Sequence, residues 1–335
     1  MRTILYLTYA FLFLVACKKP SKDPAVIQQP GQPLEGYGSS SYQSSTVIKK
    51  NYDDGNTGFW LYLPSEPSPK EAPVVVLNHG YGAWNPACYG AWIKHLVKKG
   101  NIVIFPRYQA TIVTNPSTYS SNAAAAINRA LKVLAANPGM PQPIKGKIAY
   151  IGHSYGGVIA ANLAMSYSTY GIPAPKAVML ACPSTGNAPQ GALPSYKSMS
   201  SKIKMLLVVE EKDNGGASFA DMLYNATTYI SAANKTMITH LADPYGYPAI
   251  TADHGEAAAT DMTFDSGQKN SIISLAFSTT RVDATDYYCY WKLTDALLDC
   301  VFHQQGCPCV YGDSTAVTNM GKWSDGQAVK PLVVR

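Results

Sequence analysis

Charged residues are scarce in this chain, and no part of it concentrates one sign of charge. Only 14% of the 335 residues are Asp, Glu, Lys or Arg, and the formal net charge of +6 is spread along the sequence. No run of Lys and Arg is dense enough to form a basic track for nucleic acid. Because 47% of the residues are hydrophobic, the composition also argues against a disordered chain. We therefore expect a folded protein with a large core and no nucleic-acid partner.

The apolar run at the N-terminus is too short for a membrane-spanning helix, which needs about 20 residues. It covers residues 4–16, follows Arg2 and ends at Cys17, as in a signal peptide. Its last letters, "LVAC", resemble a bacterial lipobox, which implies cleavage before Cys17 and a lipid on its sulfur. The alternative is an ordinary signal peptide followed by a chance cysteine. With the lipid, the mature chain would be exported and anchored to a membrane of the bacterial cell envelope, on its periplasmic or cell-surface side.

Composition divides the chain into three parts. Residues 1–16 are the predicted lipoprotein signal peptide. Residues 17–44 are rich in Pro, Gly, Ser and Gln, which is typical of a flexible tether. Residues 45–335 are predicted to form a single domain with a Cys-containing helical C-terminal extension from about residue 282, and we expect a monomer.

Seven cysteines are present, and six remain for disulfides if the first is lipidated. Cys289 and Cys300 lie on one predicted helix, roughly 16 Å apart at ~1.5 Å per residue, so they are too far apart to pair. Cys300 can close a short loop with either Cys307 or Cys309. A zinc site that combines His303 with the last two cysteines is a further alternative, although its ligand set is incomplete. The six are Cys88, Cys182, Cys289, Cys300, Cys307 and Cys309.

Short apolar runs alternate with helical patterns through the middle of the chain. The runs predict strands at 59–64, 73–82, 101–106, 147–152, 176–183, 204–211 and 235–242, of which those at 73–82, 101–106, 176–183 and 204–211 are predicted to be buried. Helices are predicted at 89–100, 120–139, 157–167 and 218–231, and more of them after residue 242. This alternation predicts an α/β fold with a mostly parallel sheet covered on both faces. Functional residues of such sheets lie at the carboxyl ends of the strands.

The motif G-x-S-x-G occurs at residues 152–156, "GHSYG", between a predicted strand and a predicted helix. In that setting the serine sits on a sharp turn that exposes its hydroxyl group, and only glycine permits the close approach of strand and helix. Ser154 is therefore the candidate nucleophile. The alternative is a strand-to-helix turn that happens to contain serine.

A nucleophilic serine needs a general base and an acid that orients it, in the chain order Ser, acid, His. The segment "VVEEKDNGG" offers Glu210, Glu211 and Asp213. We prefer Asp213, which lies in a turn before two glycines, against the alternative of a solvated turn residue. His254 is the preferred base because it follows the last predicted strand in a loop, whereas His240 lies within that strand.

Two main-chain N–H groups are candidates for the oxyanion hole. One belongs to Tyr155, directly after the serine. The other belongs to Tyr81, in the glycine-containing loop "NHGYGAW" after a buried strand. The side chains of Trp84, Tyr81 and Tyr155 either form an apolar wall for a substrate or belong to the core.

The segments "VVVLNHGYGA", "GHSYGG" and "EEKD" make the chain resemble the α/β-hydrolases from about residue 46 to residue 254. Within that superfamily they are similar to cutinase-like polyester hydrolases, chlorophyllases and platelet-activating-factor acetylhydrolases. The resemblance implies ester hydrolysis through an acyl-serine without a cofactor, on a small-molecule or polymeric ester. It also supports Tyr81 and Tyr155 as oxyanion donors. The sequence departs from the polyester hydrolases in about eleven extra residues before His254 and in the Cys-rich tail beyond residue 282.

The sequence thus predicts a serine esterase with Ser154, Asp213 and His254 as its triad, and with no metal or cofactor. Two alternatives stay open. One is a peptidase or amidase on the same fold, which the same triad would serve. The other is a surface lipoprotein that binds a ligand on an inactive hydrolase scaffold, because a fold does not guarantee activity.

Overall fold

A nine-stranded sheet runs through the part of the chain that the computed structural model describes, residues 26–335. Its order is β1-β2-β4-β3-β5-β6-β7-β8-β9. Six neighbouring strands are parallel to one another: β4, β3, β5, β6, β7 and β8. The strands β1 and β2 at one edge and β9 at the other edge pair antiparallel. The predicted mostly parallel sheet is confirmed. In chain order the strands are β1 (Thr46–Tyr52), β2 (Phe59–Ser65), β3 (Glu71–Asn78), β4 (Ile102–Pro106), β5 (Gln142–His153), β6 (Ala177–Ala181), β7 (Lys204–Glu210), β8 (Lys235–His240) and β9 (Val333–Val334).

Helices cover both faces of this sheet. In chain order they are α1 (Gly90–Lys98), α2 (Tyr119–Ala135), α3 (Tyr155–Met165), α4 (Asn214–Ala226), α5 (Ser271–Thr279), α6 (Lys292–His303) and α7 (Thr315–Thr318). One π-helical segment, Asp286–Trp291, leads directly into α6. Helices α2, α3 and α4 lie on one face, and α1, α5, α6 and α7 contribute to the core on the other. Within residues 26–335, none of these helices combines the length and the apolar character that crossing a bilayer requires.

The two faces of the sheet bury alternate residues of the same strands. In β3, Val75 and Leu77 belong to the core under α1 and α6, whereas Val74 and Val76 belong to the core under α2 and α3. Successive side chains of a strand point to opposite faces. A strand covered on both sides must therefore be apolar at consecutive positions, which is why "VVVL" predicts its position well.

The parallel strands bring four loops to one edge of the sheet. Strands β3, β5, β7 and β8 end at Asn78, His153, Glu210 and His240. Because they run in the same direction, the loops that follow these residues meet at the carboxyl edge. All the predicted site residues that the structure describes come from these loops or from the turn into α3.

The C-terminal extension is part of the main core. Tyr290, Leu293 and Leu297 are almost completely buried, and they pack in the same cluster as Val75 and Leu77. A disulfide joins Cys300 to Cys307 and resolves the two pairings that the sequence left open. It also removes Cys307 from the alternative zinc site. Among the described residues, the free cysteines are Cys88, Cys182, Cys289 and Cys309.

The predicted flexible tether differs from the structure over its described part, residues 26–44. This segment has no helix or strand, but it is docked on the C-terminal region. The Gly38 N–H donates to Asp295 Oδ2 at 2.9 Å, and the Tyr37 hydroxyl donates to Asp299 Oδ2 at 2.6 Å. Ser39 is fully buried. Composition predicted flexibility because these residues lack a periodic pattern, but specific polar contacts with α6 hold them in place.

Candidate active site

Ser154 occupies the sharp turn between β5 and α3. Its backbone has φ 55° and ψ −123°, a region that non-glycine residues seldom occupy. The flanking glycines have no space for a side chain, because a Cβ at Gly152 would overlap the main chain of Gly156 and one at Gly156 would overlap that of Asn78. The turn therefore has the features of a nucleophile elbow, with the Ser154 hydroxyl facing a cleft.

The structure brings Asp213, His254 and Ser154 into one line of hydrogen bonds. His254 Nδ1 lies 2.6 Å from Asp213 Oδ2, and His254 Nε2 lies 2.8 Å from Ser154 Oγ. Because a carboxylate only accepts, the Nδ1–H donates to Asp213, and the serine hydroxyl donates to Nε2. Asp213 is buried, whereas the His254 side chain is 43% exposed. The imidazole therefore has its accepting nitrogen on the serine and remains accessible from the cleft.

Asp213 is held in its ionised form by donors on several sides. It caps the N-terminus of α4, where its Oδ1 accepts from the Gly216 N–H at 3.0 Å. Burial tends to raise the pKa of this carboxyl group, but the hydrogen bonds from His254 and Gly216 outweigh it and leave the pKa below its usual value. An ionised Asp213 can hold one tautomer of the imidazole and stabilise its protonated form.

His240, the alternative base, lies in a different buried pair. Its Nδ1 is 2.5 Å from Glu210 Oε2, and both side chains are almost completely inaccessible. Burial opposes protonation, but the adjacent Glu210 carboxylate outweighs it and raises the pKa of His240. The Tyr290 hydroxyl donates to the other oxygen of Glu210 at 2.5 Å. This arrangement joins β7, β8 and the C-terminal region, and it leaves His240 in a buried pair rather than on the serine.

The two candidate oxyanion donors belong to residues near the serine: Tyr155 directly follows Ser154 in the chain, and Tyr81 follows Gly80, where a Cβ would lie 3.3 Å from Ser154 Cβ. The neighbouring N–H groups are engaged, since Gly80 donates to the Tyr89 hydroxyl at 2.9 Å and Gly82 donates to Gln109 Oε1 at 2.8 Å. Tyr155 is the first residue of α3, so its N–H has no acceptor within the helix. Across residues 26–335, no hydrogen bond pairs the N–H of Tyr81 or Tyr155 with an acceptor. A substrate oxyanion could accept from both.

A cleft of about 670 Å³ opens in front of Ser154 and His254. Its apolar wall comes from α5, where Ile272 and Leu275 line the cavity. Leu275 leaves 57% of its surface exposed. The sequence did not single out α5, because a short apolar helix has the same pattern as a core helix. The size and lining are typical of a site for a small organic ligand.

Only one of the three predicted wall aromatics lines this cleft. The Tyr81 side chain lies there, 39% exposed, and its hydroxyl donates to the Ile112 carbonyl at 2.8 Å. Trp84 is buried in the core under α1. Tyr155 is buried in the opposite core, where its hydroxyl donates to the Ala188 carbonyl at 2.6 Å. For Trp84 and Tyr155, the alternative interpretation as core residues is therefore correct.

One group of side chains around the site has ligand types that could bind a metal. The ligand atoms of Cys182, Asp213 and His254 lie within 4.8 Å of one another. Two of them are already hydrogen-bonded to each other. Burial raises the pKa of the Cys182 thiol well above its usual value, which disfavours the thiolate that binds metals. This chemistry fits a hydrogen-bonded acid–base pair better than a metal centre.

Part of the chain matches the model of a known protein family. The chlorophyllase family model matches residues 60–209, which is just under half of the chain. The match extends from β2 into β7 and includes Tyr81, Ser154 and Tyr155. A search of curated protein sequences returned no significant match. Because the chlorophyllase family belongs to the α/β-hydrolase superfamily, the match and the sheet together confirm the predicted α/β-hydrolase fold, and they indicate an ester hydrolase in general terms.

Proposed function

We propose that this chain is a serine hydrolase that cleaves carboxylic esters through an acyl-serine, with Ser154 as nucleophile, His254 as general base and Asp213 as the orienting acid. The observation that carries the proposal is the unbroken line of hydrogen bonds from Asp213 through His254 to Ser154, at 2.6 Å and 2.8 Å. The elbow conformation of the serine and the cleft in front of it support the same function.

The acylation step follows from this geometry. As Ser154 Oγ attacks the ester carbonyl carbon, its proton passes to His254 Nε2. Asp213 keeps the proton on Nδ1 and stabilises the imidazolium that forms. The carbonyl oxygen takes up the negative charge and accepts hydrogen bonds from the N–H groups of Tyr81 and Tyr155. The tetrahedral species then collapses, its C–O bond breaks, and His254 donates the proton to the leaving alcohol.

Deacylation repeats these steps with water. His254, neutral again, takes a proton from a water molecule that attacks the acyl-serine carbonyl carbon. The second tetrahedral species has its oxyanion at the same two N–H groups. Its collapse releases the carboxylic acid and returns the proton to Ser154. Each step balances without a cofactor.

The test of this function is active-site labelling combined with turnover. The purified protein is treated with a fluorophosphonate probe and assayed on short p-nitrophenyl esters, beside Ser154→Ala. We expect labelling and turnover in the native chain and neither in Ser154→Ala. If the two proteins behave alike, the ester hydrolase proposal is wrong and the inactive ligand-binding scaffold gains support. If peptide or amide substrates are turned over and esters are not, the peptidase alternative replaces it.

We also propose that the enzyme is exported and anchored by a lipid on Cys17. The lipobox-like segment and Cys17 lie outside the described residues, so this proposal is supported by sequence pattern alone. The expected partners are the ester substrate and the membrane, with the folded domain acting as a monomer.

A further inference from the structure

The side chain of His153, the residue before the nucleophile, joins two parts of the site. It is buried, with 6% of its surface exposed. Its Nε2 lies 2.7 Å from the main-chain oxygen of His254, and its Nδ1 lies 2.8 Å from the Tyr89 hydroxyl. That hydroxyl accepts a hydrogen bond from the Gly80 N–H at 2.9 Å. Three hydrogen bonds thus connect the main chain of His254 to the main chain of Gly80.

Each group in this chain of hydrogen bonds has one possible role. The carbonyl oxygen of His254 only accepts, so His153 Nε2 carries the proton. Burial lowers the pKa of His153 to about 3, so the ring is neutral at pH 7 and its Nδ1 accepts. The Tyr89 hydroxyl must then donate to Nδ1, and its oxygen accepts from Gly80. The direction of all three bonds is fixed, and no second arrangement satisfies the same groups.

The two ends of this chain of hydrogen bonds lie at loops that contain groups of the proposed reaction. At one end, His254 lies on a loop in which Thr251, Asp253 and Gly255 are exposed. Its carbonyl oxygen is bonded to the buried His153. At the other end, Gly80 directly precedes Tyr81, the proposed oxyanion donor.

Gly80 also packs tightly against both the chain of hydrogen bonds and the nucleophile. A Cβ at this position would lie 3.2 Å from the Tyr89 hydroxyl, 3.3 Å from Ser154 Cβ and 3.4 Å from His153 Nδ1. Gly80 is therefore closely packed against Ser154, Tyr89 and His153 together. A shift of Tyr89 or His153 would be transmitted to Gly80, to the loop of His254, or to both.

We propose that His153 and Tyr89 are positioning residues. Their hydrogen bonds hold the loop that contains His254 and the loop that contains Gly80 and Tyr81 in a fixed position relative to each other and to Ser154. The proposal rests on the ester hydrolase function proposed above. The imidazole of His254 and the N–H of Tyr81 must act on the same tetrahedral carbon. Displacing either by about 1 Å costs on the order of 100-fold in rate. His153 and Tyr89 also line the cleft, so the separate effects of their substitution on kcat and on KM distinguish positioning from direct contact with the substrate.

Tyr89→Phe tests the proposal because it removes one hydroxyl and keeps the ring. Tyr150→Phe is the matched control, since Tyr150 is also fully buried and its hydroxyl donates to the Pro173 carbonyl at 2.5 Å, outside the site. We measure kcat and KM on p-nitrophenyl butyrate and the thermal midpoint of each variant. We expect Tyr89→Phe to lose roughly 10- to 100-fold in kcat with KM changed less than about threefold. Tyr150→Phe should lose stability but keep kcat within about threefold.

A second set of variants tests whether the two side chains act as a unit. If they do, the double variant Tyr89→Phe, His153→Leu has about the same kcat as the single variant with the lower kcat. His153→Gln retains a donor near the His254 carbonyl, so it should recover part of the kcat that His153→Leu loses. If the fold-losses of kcat multiply in the double variant and His153→Gln recovers no kcat, the two side chains do not act as a unit and the proposal is wrong.

The outcomes also separate this proposal from the function on which it rests. If the native chain is labelled and active, Ser154→Ala is not, and Tyr89→Phe matches the native kcat while losing as much stability as Tyr150→Phe, only the positioning role is wrong. If the native chain neither reacts with the fluorophosphonate nor turns over esters, both proposals are overturned.

Discussion

At the scale of single residues, the site depends on a backbone conformation that is unfavourable in isolation. A non-glycine residue in the region of Ser154, with φ 55° and ψ −123°, costs about 1–3 kcal/mol. The surrounding main chain holds it there. The Ser154 N–H donates to the Ala181 oxygen at 2.9 Å, and its carbonyl oxygen accepts from Gly157 at 3.0 Å and from Ser184 at 3.2 Å. The cost is thus offset by contacts with two neighbouring segments.

Two histidine–carboxylate pairs lie at the same edge of the sheet, and substitution distinguishes them. We expect His254→Gln to lower kcat/KM for p-nitrophenyl butyrate by about 10³-fold or more, because Ser154 loses its proposed general base. We expect His240→Gln to keep kcat/KM within about threefold but to be strongly destabilised, since it leaves Glu210 as a buried carboxylate without its partner. Kinetics and urea denaturation of both variants check this. Loss of activity in the His240 variant alone would make the assignment of His254 wrong.

Buried neutral histidines predict sensitivity to acid. His79 Nδ1 lies 2.7 Å from the Gly80 oxygen, and burial lowers the pKa of His79 to about 4. In the unfolded chain the pKa is about 6.5. Between these values the unfolded state binds more protons, so the free energy of unfolding falls as the pH falls. The loss reaches at most about 1.4 kcal/mol per pH unit, or roughly 2–3 kcal/mol between pH 6.5 and 4.5.

His79→Phe should remove this contribution, since phenylalanine can keep the stacking on Tyr108, where the ring centroids are 4.0 Å apart. Urea denaturation at pH 7 and pH 4.5 measures the free energy of unfolding of both proteins. The difference between them should shift by roughly 2–3 kcal/mol in favour of the variant at the lower pH. His303→Gln, at a half-exposed position, is the control. Equal pH dependence in the native chain and His79→Phe would contradict the prediction.

At the scale of secondary-structure elements, α5 is coupled to the oxyanion loop by one side chain. Asn270 caps α5 by accepting from the Ile273 N–H at 2.8 Å. The same side chain donates to the Gly82 oxygen at 2.8 Å. A Cβ at Gly82 would also press against Ile272. The helix that forms the apolar wall is therefore fixed relative to the loop that contains Tyr81.

The exposed wall of α5 predicts a preference for the longer of two apolar acyl chains. We expect Leu275→Asp to reduce the ratio of kcat/KM for p-nitrophenyl octanoate over acetate by about tenfold. Contact with one or two methylene groups, each worth about 0.8 kcal/mol, accounts for this change. Met222→Asp is the matched control, because Met222 is 43% exposed on α4 and does not line the cleft. An unchanged ratio in Leu275→Asp would show that the acyl chain does not contact α5.

At the scale of the whole molecule, the docked N-terminal segment limits how far the proposed lipid on Cys17 could lie from the folded domain. The Gln28 N–H donates to Ser324 Oγ at 2.9 Å, and the Tyr247 N–H donates to the Ile27 oxygen at 2.8 Å. The chain is therefore fixed to the domain from about residue 27. The residues between Cys17 and this point can span at most about 35 Å, at ~3.5 Å per residue. A lipid on Cys17 would hold the domain within that distance of the membrane.

Substitution of Cys17 tests the anchor. We expect the native chain, expressed in bacteria with radiolabelled palmitate, to incorporate label and to sediment with membranes. Cys17→Ala should lose both properties, because stable attachment depends on the acyl chains. Cys309→Ala, which removes a partly accessible thiol, should keep both. Equal labelling of all three proteins would mean that Cys17 is not the lipidated residue.

Local sequence patterns determined seven of the nine described strands, β2 to β8, and the sharp turn at Ser154, and they provided the chain order of the candidate site residues. The apolar run before Asn78 and the glycines around Ser154 constrain the backbone over a few residues, so a short window contains the necessary information. Strand β1 was missed because its residues, "TVIKKNY", pack only at an edge and are largely polar or exposed. Strand β9 is two residues long, which is too short to show the alternation of apolar and polar residues that is typical of a strand.

Only the tertiary structure decided the contacts between distant segments. Sequence could rank His254 above His240, but the path of the loop after β8 determines which ring reaches Ser154. The same holds for the partner of Cys300, the direction of the Tyr155 ring and the docking of residues 26–44. These contacts depend on the summed packing of the whole core, in which a side chain takes the position that its remote neighbours leave open. A short stretch of sequence contains no information about these remote neighbours.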